Sequence, residues 1–193
     1  LTGCETIRFY QQAIAGQGQL LLDREAVESL MAAPETHPAL RYRLQLARDV
    51  IAFASAAGLP VAKAYGSYVE TGRRSVVWNV FAAPALELSL KASCFPITGC
   101  VNYRGYFNRK DAERQAALLR QQGYDVHVGG VTAYSTLGWF DDPLLDTFLF
   151  LDEEYLAALL FHELAHRIVY LKGDTRFNES LATSVEQVVL RDW

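Results

Sequence analysis

The sequence lacks the features that would place it outside ordinary globular proteins. Its 193 residues include only three cysteines, which are too few for a scaffold held together by disulfides. It contains no run of about 18 apolar residues, so no membrane-spanning helix is predicted. Its 18 basic residues form no block and are outnumbered by 22 acidic residues. This charge pattern argues against nucleic acid as a partner.

The composition is typical of a folded domain. Hydrophobic residues make up 51% of the chain and charged residues 21%, values that exclude disorder and fibrous repeats. We expect one α+β domain from residue 9 to residue 193, of which the N-terminal part, about 9–58, is helical. Residues 1–8 are interpreted as a tether.

Local hydrophobic spacing and turn residues predict the elements of this domain. The predicted elements are two helical pieces in Phe9–Met31, a helix that begins at Thr36–Pro38 and ends at Gly58, a hairpin of Val61–Val69 and Ser75–Ala83 around Thr71–Arg73, a strand at Leu86–Leu90, a helix from Asn108 to Gln122 closed by Gly123, a strand at Tyr124–Val128, a long loop over Gly129–Pro143, and helices over Asp152–Leu171 and from Phe177 onward.

Both ends of the chain carry a signal. Leu1-Thr2-Gly3-Cys4 resembles the end of a bacterial lipobox, in which the cysteine is lipidated. This predicts a lipid anchor on Cys4 that tethers the protein to a membrane of the bacterial envelope, facing the periplasm. The alternative is an ordinary start with an unrelated thiol. Residues Ser184–Trp193 read as helix without a cap, which predicts that the chain is a fragment lacking a C-terminal part.

The segment that indicates chemistry is His162-Glu163-Leu164-Ala165-His166. Residues four apart share one face of a helix, so the two imidazoles can bind the same zinc ion. Glu163 is rotated about a quarter turn from them, beside the metal. A general base for the water that the metal activates is needed at that position.

The helix that carries this motif is predicted to be buried. Leu156, Leu160 and Ile168 recur at helical spacing around it. Burying two histidines and a glutamate without partners is costly, and a metal ion removes that cost. The alternative is a pair of histidines satisfied by ordinary hydrogen bonds and a glutamate at the surface.

A third ligand must come from elsewhere in the chain. The metzincin pattern is excluded because Val169 and Lys172 stand where it needs glycine and histidine. The segment Asn178–Ala182 resembles the Asn-Glu-x-x-Ala signature of gluzincins, whose glutamate completes a His, His, Glu ligand set. The resemblance implies Glu179 as the third ligand.

Two more acidic residues are candidates for the surroundings of the ligands. Glu186 lies two helical turns after Glu179 on the same face and is interpreted as a fallback ligand or as a partner that orients a ligand histidine. Asp174 is a candidate for the same orienting role, with helix capping as the alternative. Some gluzincins place an aspartate where Thr183 stands, so the partners of the histidines must differ here.

Four segments together resemble a family of bacterial aminopeptidases of the gluzincin type, whose members are generally predicted lipoproteins. They are Leu1–Cys4, Cys94–Phe107, Tyr134–Pro143 and His162–Thr183, in the order that the family has them. Many peptidases share the zinc motif, whereas the cysteine segment and the tryptophan-containing loop are more specific. The activity in the family's name is itself a predicted label, so it implies a peptidase more firmly than an exopeptidase.

The resemblance implies a zincin-like fold, in which a small sheet packs on the helix that carries the histidines. It implies one zinc ion held by His162, His166 and Glu179, a peptide substrate, and Glu163 as general base. The alternative function is a non-catalytic envelope lipoprotein with a structural zinc site, which four protein ligands would close.

Several other residues have both a functional and a structural interpretation. Cys94 and Cys100 are spaced to close a small loop, and outside the cytoplasm a disulfide is favoured over two buried thiols. Tyr134 is a candidate hydrogen-bond donor to the oxyanion that forms during hydrolysis, with packing as the alternative. Tyr103 and Tyr106 are weaker candidates for that role.

The remaining polar candidates are weaker still. Arg104 is a candidate ligand for a substrate carboxylate, with a structural ion pair as the favoured alternative. Asp141 and Asp142 are candidates for binding a free amino terminus or for capping a turn. His127 lies in a strand pattern and is not expected to be a ligand, and His37 is expected to cap a helix.

Overall fold

The computed structural model describes residues 2–95, 99–133, 136 and 141–193, and these form a mixed α+β protein. The helices over this part of the chain are α1 (Thr2–Leu22), α2 (Val27–Ala32), α3 (Pro38–Ala56), α4 (Arg109–Gln121), α5 (Asp146–Leu149), α6 (Glu153–Ala165) and α7 (Thr175–Asp192). The strands are β1 (Glu25–Ala26), β2 (Ser67–Val69), β3 (Val77–Pro84), β4 (Ser93–Phe95), β5 (Gly99–Val101), β6 (Arg104–Tyr106), β7 (Tyr124–Val131) and β8 (Leu144–Leu145). Within the described residues, none of the helices is both long and apolar enough to cross a membrane.

The chain forms two compact units, and both are discontinuous in sequence. One unit contains Leu1–Asp23 and Arg73–Ala133, and the other contains Arg24–Gly72 and Tyr134–Trp193. The expectation of a single domain after residue 8 stays a prediction. Helix α1 begins at Thr2, so most of the segment interpreted as a tether is helical.

The first unit is built on an antiparallel sheet with the strand order β6-β3-β7. Val80 and Ala82 of β3 alternate onto one face, where they form a buried cluster with Ala112 and Ala116 of α4 and with Phe9 of α1. The alternation is the two-residue period of a strand, and the alanines let α4 lie close to the sheet. Burial of these apolar side chains holds the unit together.

The predicted limits of α4 are confirmed by its caps. Asn108 accepts a hydrogen bond from the backbone N–H of Lys110 at 2.8 Å, which satisfies one of the free donors at the helix start. Gly123 has a φ of 86°, a left-handed conformation that a residue with a side chain adopts only at a cost. Strand β7 then begins at Tyr124, as predicted, and continues to Val131.

The second unit is mainly helical, and α6 packs between α3 and α7. Leu44 and Val50 of α3 and Leu160, Phe161 and Leu164 of α6 are completely buried. Each such side chain contributes about 1.5–3 kcal/mol relative to exposure. A three-stranded sheet with the order β1-β2-β8 completes this unit.

The N-terminal cap of α3 is also as predicted. The Nδ1 atom of His37 accepts a hydrogen bond from the backbone N–H of Ala39 at 3.2 Å, and Pro38 occupies the first helical position, where its missing N–H costs nothing. Helix α3 ends at Ala56, and Gly58 follows with a φ of 87°.

Two strand predictions are wrong. Val61–Val69 and Ser75–Ala83 do not form a hairpin, because β2 pairs with β1 and β8 whereas β3 pairs with β6 and β7. The carboxylate of Asp146 accepts hydrogen bonds from the backbone N–H groups of Thr71 and Gly72 and from the Thr71 hydroxyl. This distant residue therefore stabilises a turn that differs from the predicted hairpin turn. The segment Leu86–Leu90 is irregular, and Leu86 has a φ of 66° that no strand allows.

The helix that carries the histidine motif is shorter than predicted. Helix α6 ends at Ala165 and not at Leu171. Ile168, Val169 and Leu171 continue the apolar spacing but are largely exposed. Helical packing therefore does not continue through them, and the chain turns toward α7.

Candidate metal centre

The last turn of α6 brings the two predicted histidines together. His166 occupies the C-cap with helical φ and ψ of −59° and −17°, and its backbone N–H donates to the carbonyl of His162 at 3.3 Å. The two imidazoles therefore share one face, with ring centroids 4.9 Å apart and planes at 83°. The predicted juxtaposition of the histidines is thus present in the structure.

Helix α7 adds a carboxylate to this pair. The Nε2 atom of His162 lies 3.3 Å from Oε2 of Glu179, and the Nε2 atom of His166 lies 3.8 Å from Oε1 of the same carboxylate. One ligand atom from each of the three residues lies within 4.8 Å of the other two. Ligands at zinc-like bond lengths in a tetrahedron are separated by roughly 3.3 Å. The group can therefore hold a metal ion.

The start of α7 fixes where Glu179 lies. Asp174 is the N-cap, and its Oδ1 accepts from the backbone N–H of Phe177 at 3.0 Å, which is the capping role weighed as its alternative. Asn178 is buried, and its carboxamide accepts from the backbone N–H of Leu171 and donates to the carbonyl of Leu171, both at 2.9 Å. No role beyond its place in the signature was predicted for Asn178. Its side chain links the first turn of α7 to the segment after α6.

Glu186 lies against the other nitrogen of the first histidine. Its Oε2 is 2.9 Å from Nδ1 of His162. A carboxylate there favours the tautomer with the proton on Nδ1, which leaves the lone pair of Nε2 free for a metal. The Nδ1 atom of His166 is buried and has no hydrogen-bond partner among the described residues. The two imidazoles are therefore supported unequally.

The pKa values of the two histidines also differ. The hydrogen bond that His162 donates to Glu179 is the largest cause that raises the pKa of His162 to about 9, and the one to Glu186 also raises it, whereas burial opposes both. Burial lowers the pKa of His166. The contact with His162 lowers the pKa of Glu179. In the metal-free protein near neutral pH, the protonated ring of His162 therefore donates from Nδ1 to Glu186 and from Nε2 to Glu179, whereas His166 is neutral.

Glu163 has the electrostatics that a base for neutral solution requires. Burial raises the pKa of its carboxyl to about 7, and nearby Asp142 and Glu179 act in the same direction against His162. A general base acts best with a pKa near the working pH. Glu163 is not in the group of converging ligand atoms found among the described residues. The assignment of Glu163 as the base stays a prediction.

A buried tyrosine near Glu163 was not predicted. Tyr65 has a φ of 62°, which is unusual for a bulky residue, and its backbone N–H donates to the carbonyl of Asp142 at 2.7 Å. Burial raises the pKa of its phenol well above the usual range, and the charge of Glu163 adds to this. No local pattern marks Tyr65, because the contacts that place it are distant in sequence.

The other predicted residues lie in several environments. Cys94 and Cys100 form a disulfide across the β4–β5 pair, so that prediction is confirmed. Tyr134 lies outside the described residues, and the side chain of Cys4 is likewise not described. Asp142 is buried, and its carboxylate accepts a hydrogen bond from the Thr136 hydroxyl at 2.6 Å.

The remaining candidates have structural contacts. The Arg104 guanidinium lies 4.1 Å from the centroid of the Phe9 ring, and Tyr106 is buried in the core of the same unit. The ring of Phe81 contacts both Tyr103 and His127, at centroid distances of 5.8 and 6.2 Å. Elsewhere, the carbonyl of Asp141 accepts from Arg24 at 3.3 Å.

Comparison with known families identifies the chain. Residues 8–193 match the model of the family described as "Putative aminopeptidase". The chain belongs to this aminopeptidase family. The match covers both units, and the family's description points to a peptidase, a hydrolase that acts on peptides. No curated protein and no solved structure matches the chain.

Proposed function

We propose that this member of the aminopeptidase family is a zinc-dependent peptidase of the gluzincin type. His162, His166 and Glu179 would hold the ion, and Glu163 would act as general base. The observation that carries the proposal is the convergence of three ligand atoms within 4.8 Å beside a carboxyl with a pKa of about 7. Two imidazoles and one carboxylate form a ligand set found in catalytic zinc sites.

In the proposed reaction, Glu163 would carry out both proton transfers of peptide hydrolysis. Zinc bound at such a site polarises a carbonyl and activates a water molecule. The carboxylate of Glu163 accepts a proton from the attacking water as its oxygen bonds to the peptide carbonyl carbon. The same carboxyl then donates that proton to the nitrogen of the leaving amine as the C–N bond breaks.

Two further residues would assist this reaction. Glu186 holds the proton on Nδ1 of His162, so that Nε2 keeps its lone pair for the ion. Tyr134 is proposed as a hydrogen-bond donor to the carbonyl oxygen of the substrate. Its role rests on the sequence alone.

The alternative of a structural zinc site is less well supported. A structural site is closed by four protein ligands, whereas catalytic sites keep one position open. Among the described residues, the converging group contains three. The open position favours hydrolysis.

We further propose that the protein is lipid-anchored through Cys4 and faces the periplasm. The proposal rests on the lipobox-like Leu1–Cys4. The disulfide between Cys94 and Cys100 is of the kind that persists in oxidising compartments.

The decisive experiment compares wild type with Glu163→Gln for zinc content and for digestion of a peptide library. We expect the variant to keep zinc and to lose at least about 100-fold in kcat, since general-base catalysis contributes that much or more. Glu154→Gln, which removes an exposed carboxylate from the same helix, is the matched control and should cleave normally. Normal cleavage by Glu163→Gln would overturn the mechanism.

The same digest separates aminopeptidase from endopeptidase activity. An aminopeptidase releases single residues from free amino termini and spares a library that is acetylated at its amino termini. Internal cleavage of the acetylated library would refute the aminopeptidase assignment while keeping the zinc peptidase.

A further inference from the structure

Asn178 makes a two-point contact that the proposed chemistry does not use. The residue is 2% exposed. Its Oδ1 accepts from the backbone N–H of Leu171 and its Nδ2 donates to the backbone carbonyl of Leu171, both at 2.9 Å. Two antiparallel hydrogen bonds to one residue fix both the distance and the orientation of the two backbone segments.

The segment on the other side of this contact has little apolar packing to hold it. Helix α6 ends at Ala165, and Ile168, Val169 and Leu171 expose 41% or more of their surface. Burial of these side chains therefore contributes little to the position of the connection between α6 and α7. The backbone contacts of Leu171 with Asn178 supply a restraint that packing does not.

Glu179 depends on that restraint. It follows Asn178 directly, at the start of the second turn of α7, and its side chain is 56% exposed. Packing holds a long, exposed carboxylate side chain only weakly, so its contacts with the histidines must offset the loss of its rotamer freedom. The backbone of this turn therefore determines whether its oxygens reach both histidines.

We propose that Asn178 is the positioning residue for the metal ligand Glu179. It fixes the first turn of α7 against the segment that follows the histidines, so that the third ligand is in place before the ion binds. This inference rests on the proposed metal site. It assigns to the asparagine of the signature a role through Leu171 and not through the ion.

The chemistry of the contact sets the test variants. Asn178→Leu has a similar shape and removes both hydrogen bonds. Asn178→Asp keeps an acceptor for the N–H of Leu171 but turns an oxygen toward the Leu171 carbonyl, where two acceptors repel. An unpaired buried polar group is costly, so both variants should weaken the contact between position 178 and Leu171.

The experiment is a double-mutant cycle on the full chain, with zinc affinity measured by competition against a chromophoric chelator. We expect Asn178→Leu to weaken zinc binding roughly 10–100-fold, the usual effect of removing a residue that orients a ligand. In the Glu179→Gln background, the same substitution should change affinity by no more than about twofold, because its effect passes through Glu179.

A matched control separates positioning from general destabilisation. Val189→Ala removes a buried contact from the same helix, away from the ligand, and should lower the melting temperature without changing zinc affinity. If Asn178→Leu shows no cooperative thermal transition, Asn178→Asp is measured in the same cycle.

Each result decides the proposal. The proposal would be overturned if Asn178→Leu lowered zinc affinity equally in wild type and in Glu179→Gln. It would also be overturned if Asn178→Leu lowered zinc affinity in neither. A wild type that binds no zinc would overturn both the metal site and the positioning role. A wild type that binds zinc without cleaving peptides would refute only the proposed hydrolysis, since the cycle reads metal affinity alone.

Discussion

Glu186 contacts Nδ1 of His162 at 2.9 Å while Glu179 contacts Nε2 of the same ring at 3.3 Å. One imidazole is thus held between two carboxylates that come from a single helix. Only one of these carboxylates also lies against His166. The division of roles between them leads to the first prediction.

Glu186→Gln should weaken zinc binding by roughly 10–100-fold while leaving the ligand set intact. The amide no longer favours the proton on Nδ1, so the preference for a free Nε2 lone pair is reduced. Chelator competition measures the effect. Asp192→Asn removes an exposed carboxylate from the same helix and serves as the control. Equal affinities for Glu186→Gln and Asp192→Asn would show that the His162 contact is irrelevant to the metal.

Zinc affinity should rise with pH up to about 9. The pKa of His162 is raised to about 9 in the metal-free protein, so below that pH the ring carries a proton that the ion must displace. This group therefore contributes up to about tenfold in affinity per pH unit below 9 and nothing above it. His166, whose pKa is lowered, is already neutral and adds no such dependence near neutrality.

Calorimetry in buffers of different ionisation enthalpy would count the protons released on zinc binding at pH 7.5. About one proton from His162 is expected, beyond any released by the ion's own water. His162→Ala should abolish that release. Release unchanged in His162→Ala would contradict the assignment of the proton.

Ala62→Gly should stabilise the protein. Ala62 is exposed and has a φ of 44°, a left-handed conformation that costs a residue with a Cβ roughly 1–2 kcal/mol. Glycine avoids that cost but is more flexible when unfolded, so we expect a net gain of up to about 1 kcal/mol in the free energy of unfolding.

The control is Ala57, the C-cap of α3, which has a φ of −74°. Ala57→Gly removes no strain and should destabilise by roughly 0.5–1 kcal/mol. Chemical denaturation of the two variants gives the comparison. Changes of the same sign would contradict a conformational origin.

The sequence was most informative where the signals are local. Asn108, the His37-Pro38 pair and Gly123 act on backbone groups within a few residues, so the limits of α3 and α4 could be predicted. The histidine pair follows from helical spacing alone. Glu179 required the resemblance to a signature, because nothing local indicates that α7 turns back toward α6.

The failures have a common physical cause in contacts between distant residues. Asp146 binds the backbone of Thr71 and Gly72 from 75 and 74 residues away, and this contact replaces the predicted hairpin turn. The apolar spacing of Ile168 and Leu171 resembles a buried helix, although the chain leaves α6 at Ala165. The spacing of apolar residues and their secondary-structure propensities predict local structure. They do not show which distant residues an apolar side chain contacts.

Helix α7 carries both Glu179 and Glu186, two turns apart, and both carboxylates contact His162 of α6. An ion at this centre would link α6 to α7 through its ligands. Loading of the ion would then strengthen a docking of α7 and a preference for one imidazole tautomer that the contacts of Asn178 and Glu186 already provide. A chelator would remove that added stability, and the earliest sign would be faster amide exchange along α7.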